Sequence, residues 1–379
     1  MKKGFTLIEL LAVIVILAII AVIAVPIVLN IINDTKESAV LRSADFYIGA
    51  LQNEIMLENM NQSSSFNPST CEITNSVITC DGKEINLEVD GEVPNRGSIT
   101  IEEGKVIDVE LTYTIGTVTL NNKGELVLGD ILPPKPKSFA EDSWETIIAN
   151  VKLGKINVYR KNLEENTNNM KQITLTSLDT DIAGTYTVRI ANTTTPEECS
   201  TEGFSQTACG FVVEFVDIIS NHVMNLTNTT AGGWEKSEIR NYVNNDILNS
   251  FPEEIKTNII DTYVVSGHES DKTKNYKTTD KLYLLSTKEV WGKEGTSSSN
   301  KVYYDTAELE TRQLDYYKVI GVTTDNYSGA IKKYRGTATW WLRTAYHSDY
   351  VFYTVFSTGT QGNSSASSKN GVSIAFRIG

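Results

Sequence analysis

The chain is poor in basic charge: 34 Lys and Arg stand against 47 Asp and Glu, a formal net charge of −13. Such a polyanion gains nothing from counterion release, so nucleic acid is not expected as a partner. Histidine is scarcer still. His222, His268 and His347 are the whole supply and lie far apart, which leaves no metal site and no cofactor to expect. GxSxG, HExxH and phosphate-cradling glycine loops are missing as well, so no catalytic residue is assigned and an enzyme is not expected. No repeat of fixed period occurs, which excludes a solenoid.

Cysteine is sparse but ordered. The four residues fall into two close pairs, Cys71 with Cys80 and Cys199 with Cys209, neither at CxxC spacing. Two local disulfides are expected, in an oxidising compartment outside the cytoplasm, the alternative being four separate buried thiols.

Long apolar runs are absent except at the N-terminus. After Met1-Lys2-Lys3-Gly4, an apolar stretch opens at Phe5 and continues to about Ile32, interrupted by one charge, Glu9. Roughly twenty apolar residues at about 1.5 Å rise match a bilayer core of about 30 Å, and Lys2 and Lys3 hold the start on the cytoplasmic side. A secretory signal would place its cleavage site after the apolar core, whereas here the small residue Gly4 precedes it. A carboxylate in hydrocarbon costs at least about 2.5 kcal/mol, so something must offset Glu9.

Lys3-Gly4-Phe5-Thr6-Leu7-Ile8-Glu9-Leu10 resembles the leader and first helical turn of type IV prepilins. The resemblance implies that a prepilin peptidase cuts after Gly4, that Phe5 becomes the N-methylated terminus, and that Glu9 is the assembly carboxylate. Other pilin subunits would be its partners, and the membrane its place before assembly in an extracellular pilus. The physics agrees: the Glu9 carboxylate and a neighbouring subunit's Phe5 ammonium are each costly to bury alone and neutralise each other together.

Beyond the apolar run, Val40, Ala44, Tyr47, Ile48, Leu51 and Ile55 recur at helical spacing, predicting one amphipathic helix over 5–60, bent or locally melted at Pro26. From 61 to 132 the pattern alternates. Short strands are expected at 98–101, 106–113, 117–120 and 125–128, with Cys71 and Cys80 stapling the loop between helix and sheet. A long helix covering an antiparallel sheet is the pilin architecture. The proline-rich stretch 133–138 then reads as a stiff linker.

Residues 139–379 hold all five tryptophans and read as a separate, loop-rich α+β domain, with helices at 143–152, 215–224 and 236–250. Gly232-Gly233-Trp234, Ile239 to Asn244, Asp280 to Ser286, Trp340-Trp341-Leu342-Arg343-Thr344 and the closing Gly371-Val372…Ala375-Phe376 resemble C-type-lectin-like and formylglycine-generating-enzyme-like surface domains. Such domains commonly close on G-V-R-P-A; Ser373 and Ile374 replace the Arg-Pro pair here. Trp340 and Trp341 are expected to face opposite ways on a strand, and Arg343 to hold a buried carboxylate or loop carbonyls. Tyr346, His347, Asp349, Tyr350 and Tyr353 mix aromatic faces with short polar groups and are the candidate ligand-binding residues, suited to a host glycan or protein; the Ser- and Asn-rich 362–370 stretch is a second candidate loop. The whole reads as a minor, adhesin-like pilin of the Gram-positive type, with a secretion or DNA-uptake pseudopilin, or a pilus-borne enzyme, as alternatives.

Overall fold

The computed structural model describes the backbone of residues 7–61, 66–267, 275–292, 311–334, 338–346 and 349–379, and their side chains except those of 7–30 and 61. The chain divides into two compact units, Met1–Pro134 and Lys135–Gly379. Both mix helix with mostly antiparallel sheet, an α+β class.

The first unit opens with α1 (Leu7–Asn61), a 55-residue helix about 80 Å long that runs through Pro26 without a break. Seven strands follow: β1 (Thr70–Thr74), β2 (Val77–Cys80), β3 (Lys83–Ile85), β4 (Arg96–Glu102), β5 (Lys105–Thr112), β6 (Thr117–Leu120) and β7 (Leu126–Gly129). They form one sheet in the order β3-β2-β1-β4-β5-β6-β7, every pair antiparallel. Val40, Ala44, Tyr47 and Leu51, spaced by four, three and four residues, are buried in one cluster with Ile73, Ile99, Val109, Leu111 and Val118 of the sheet. This is the amphipathic stripe expected from sequence: a helix face and a pleated face each supply one apolar side. The disulfide Cys71–Cys80 forms, but not where it was expected. Both cysteines sit on strands, directly opposite in the β1–β2 register, so the bond braces a hairpin rather than the loop after the helix.

The second unit begins with α2 (Trp144–Lys152), whose N-cap Ser143 accepts from the Thr146 amide, and α3 (Asn157–Glu164). Strands β8 (Met170–Leu175), β9 (Gly184–Asn192), β10 (Val212–Phe215) and β11 (Ser220–Val223) come next. Then follow α4 (Glu238–Tyr242), continued by a π-helical turn at Val243–Ile247, α5 (Glu253–Lys256), β12 (Thr262–Ser266), β13 (Tyr276–Asp280), β14 (Leu282–Tyr283), α6 (Thr287–Trp291) and α7 (Asp315–Val319). The chain closes with β15 (Trp340–Ala345), β16 (Val351–Val355), β17 (Gln361–Ser365), β18 (Lys369–Val372) and β19 (Ala375–Arg377). One five-stranded sheet runs β14-β19-β10-β9-β8, another β11-β18-β15-β16-β17, and β12 pairs with β13.

The helix expected over 215–224 is not there. Phe215 ends β10, 216–219 cross to the other sheet and 220–223 form β11, while the apolar Phe215, Ile218 and Ile219 of this stretch are all buried. A continuous apolar run looks alike in a buried strand and a buried helix. Trp340 and Trp341 are both fully buried: one indole N–H donates to Ala330 O at 3.2 Å, the other to His222 O at 2.8 Å.

Candidate functional site

Two places bear on function: the N-terminal segment and the surface of the second unit. Gly4 and Phe5 lie outside the described residues, and Glu9 falls on α1 with its side chain outside them. Among the described residues no helix is long and apolar enough to cross a membrane. The expected span at 5–32 lies almost wholly among the residues whose side chains are not described.

In the second unit, charged residues are spent on the interior. Arg343 reaches Glu289 through two contacts of 2.6 Å and also donates to Leu284 O at 2.8 Å, so it holds both a carboxylate and a loop carbonyl. Glu289 also accepts from the Thr207 hydroxyl, from the Thr311 hydroxyl at 2.9 Å and from Ser286 N at 3.0 Å, completing the capping box of α6. Burial pushes the Glu289 carboxyl up, but the Arg343 guanidinium and these donors hold it below the usual carboxylate range.

A second buried centre was not legible in the sequence. Glu214, on β10, takes Arg189 Nε at 2.8 Å, Lys332 Nζ at 2.9 Å and the Tyr317 hydroxyl at 3.0 Å. The Arg189 guanidinium lies 3.7 Å from the Tyr316 ring centroid, within cation–π range. Burial brings Lys332 down to about 8 even though Glu214 pulls it up, and the two cations keep Glu214 low against its own burial. The only local signal is a Glu inside an apolar strand, Val212-Val213-Glu214-Phe215. Asp280 forms a third clamp: it accepts from Trp234 Nε1 at 2.9 Å and Arg240 Nε at 2.7 Å, tying the Gly-Gly-Trp motif to β13. These groups are saturated by protein partners and brace the fold.

The surface loops are arranged differently. Thr230 N donates to Asp349 O at 2.9 Å, Ala366 N to Tyr350 O at 2.8 Å, and Asn225 N to Ala366 O at 2.9 Å. These bonds bring together both candidate loops from the sequence, and add a third, 225–230, that sequence reasoning did not single out. Leu226 is 75% exposed and Tyr350 51%, among exposed Thr227, Asn228, Ser367 and Ser368. Of the five predicted ligand residues, Asp349 and Tyr350 lie on this surface. Tyr346 is half-buried, with its ring 5.1 Å edge-on from that of Tyr353. Tyr353 is buried on β16, because alternate residues of a strand covered on both faces cannot all reach solvent. His347 lies outside the described residues. The disulfide Cys199–Cys209 forms as expected. Among the described residues no group of three or more His, Cys, Asp and Glu is placed to hold a metal.

Residues 1–25 match the prokaryotic N-terminal methylation motif. The chain therefore carries a type IV pilin-like prepilin N-terminus, the mark of a pilin-like or pseudopilin subunit, which implies processing by a prepilin peptidase and assembly with other pilins. Residues 214–379 match a family described as a domain of unknown function, DUF6273. No curated protein and no solved structure matches the chain.

Proposed function

We propose that the chain is a minor, adhesin-like subunit of a Gram-positive type IV pilus, assembled through α1 and carrying its second unit as a lectin-like binding head. The observation that carries the reading is the methylation motif at 1–25, set at the start of a 55-residue helix whose far half packs on a sheet. Cleavage after Gly4 and methylation of Phe5 leave Glu9 to meet the terminal amine of the next subunit in the filament core. Size supports minor status, since a head this large on every subunit would crowd a filament. The converged loops around Tyr350 support a hydroxyl-rich glycan as the ligand. A flat aromatic face covers the C–H face of a sugar, and Asp349, Asn228 and the neighbouring hydroxyls supply donors and acceptors for its rim. A glycan array on the detergent-solubilised full-length chain tests the ligand, with binding expected and then lost in Tyr350→Ala; a blank array contradicts it. Quantitative mass spectrometry of sheared filaments tests abundance, and finding this chain as the main subunit contradicts minor status.

A further inference from the structure

The two disulfides close loops of nearly equal length, with sequence separations of 9 and 10. In the chain-entropy account the closure contribution depends on that separation, so both constrain the unfolded chain to the same degree. What they hold in the folded chain differs. Cys71 and Cys80 face each other across a ladder that already pairs Glu72 with Thr79 and Ile73 with Ile78. Cys199 and Cys209 lie on no strand, and the chain between them passes through two short 3-10 turns, Glu197–Ser200 and Gln206–Ala208.

That segment delivers Thr207, fully buried, to the Arg343–Glu289 centre. Its hydroxyl donates to Glu289 Oε1 and accepts from Arg343 Nη2 at 3.3 Å, while its carbonyl accepts from the Tyr283 hydroxyl at 2.9 Å. Two residues earlier, Ser205 Oγ accepts from Val265 N at 3.2 Å. A buried ion pair depends on every surrounding hydrogen bond, because its desolvation is offset only when the remaining lone pairs are satisfied. The bond that holds this loop therefore sits one step from the fully buried Glu289 carboxylate.

We propose that Cys199–Cys209 is a locking modification: its oxidation fixes the loop that completes the Arg343–Glu289 centre, and the second unit reaches its final packing only then. In the step, the two thiols lose two protons and pass two electrons to an external disulfide, which is reduced to its dithiol as the S–S bond forms in the chain. The partner is thus a protein or small molecule of the dithiol–disulfide exchange class. The proposal is independent of what the head binds.

The test uses the full-length chain in detergent, with tryptophan fluorescence reporting the second unit, where all five tryptophans lie. Thr207→Val is expected to lower the unfolding midpoint by about 4 °C with the disulfide present, and by less than half of that in the Cys199→Ser/Cys209→Ser background. Equal shifts in both backgrounds overturn the proposal. Where the cysteine-free variant shows no cooperative transition, native chains are exposed to dithiothreitol and thiol alkylation is followed peptide by peptide. Thr207→Val should then open Cys199–Cys209 about 10-fold faster than wild type, while Ile173→Val, a comparable loss on β8, should not. The same rate in wild type and Thr207→Val, or equal acceleration by both variants, overturns it.

Discussion

Arg343 and Glu289 come from β15 and α6, 54 residues apart in sequence, and meet through paired 2.6 Å contacts with neither side chain reaching solvent. Such a pair is nearly neutral when both members are replaced and severe when one is. Arg343→Met is expected to cost about 3–5 kcal/mol, and Arg343→Met with Glu289→Leu clearly less than the sum of the two single changes. Tryptophan-detected denaturant unfolding of the full-length chain measures both.

The pH profile of the second unit follows from the same groups. Glu289 and Glu214 titrate below the unfolded carboxylate value of about 4.3, so their contribution is fully present above that value and is lost as pH falls through their folded values. Unfolding scans from pH 7 downward should show stability collapsing below about pH 4. Lys332 works at the other end. Its folded value of about 8 lies below the unfolded value of about 10.4, so the unfolded chain binds more protons between the two and stability rises with pH across that window. Lys332→Met should flatten this alkaline rise and, because Lys332 helps hold Glu214 low, weaken Glu214's share of the acid limb while leaving that of Glu289 in place.

The loop surface makes a prediction of the opposite kind. Tyr350 and Leu226 are exposed, so Tyr350→Ala and Leu226→Ser should leave the unfolding midpoint within about 2 °C of wild type. Glycan binding should fall at least about 10-fold in Tyr350→Ala, as expected when one aromatic contact is removed. Midpoint and binding measured on the same preparation separate a surface role from a structural one.

Much of the first unit was legible because its signals are local. The buried stripe of α1 and the hairpin turns at Glu103-Gly104 and Asn121 to Gly124 follow from periodicity and turn chemistry. Strands β1 to β3 were missed. They are short, and Asn75 and Ser76 turn between β1 and β2 with positive φ that no glycine announces; the Asp81-Gly82 turn between β2 and β3 is the one local hairpin signal that points to them. In the second unit Arg343 was read rightly as a holder of carboxylate and carbonyl, yet its partner Glu289 could not be named: nothing local ties α6 to β15. The convergence of 225–230, 349–350 and 366–368 was invisible for the same reason. It rests on single backbone bonds between distant segments.

Assembly has its own prediction. If Glu9 meets a neighbouring terminal amine, Glu9→Ala should be processed normally but enter sheared filaments at least about 10-fold less than wild type, as quantified by mass spectrometry. Glu9→Asp, one methylene shorter, should fall between them.

The identity of the mature N-terminus tests the account most directly. Peptide mass spectrometry of the chain recovered from sheared surface filaments should find N-methylated Phe5 as its first residue, with Met1 to Gly4 removed. An intact Met1 end on the surface protein would contradict it.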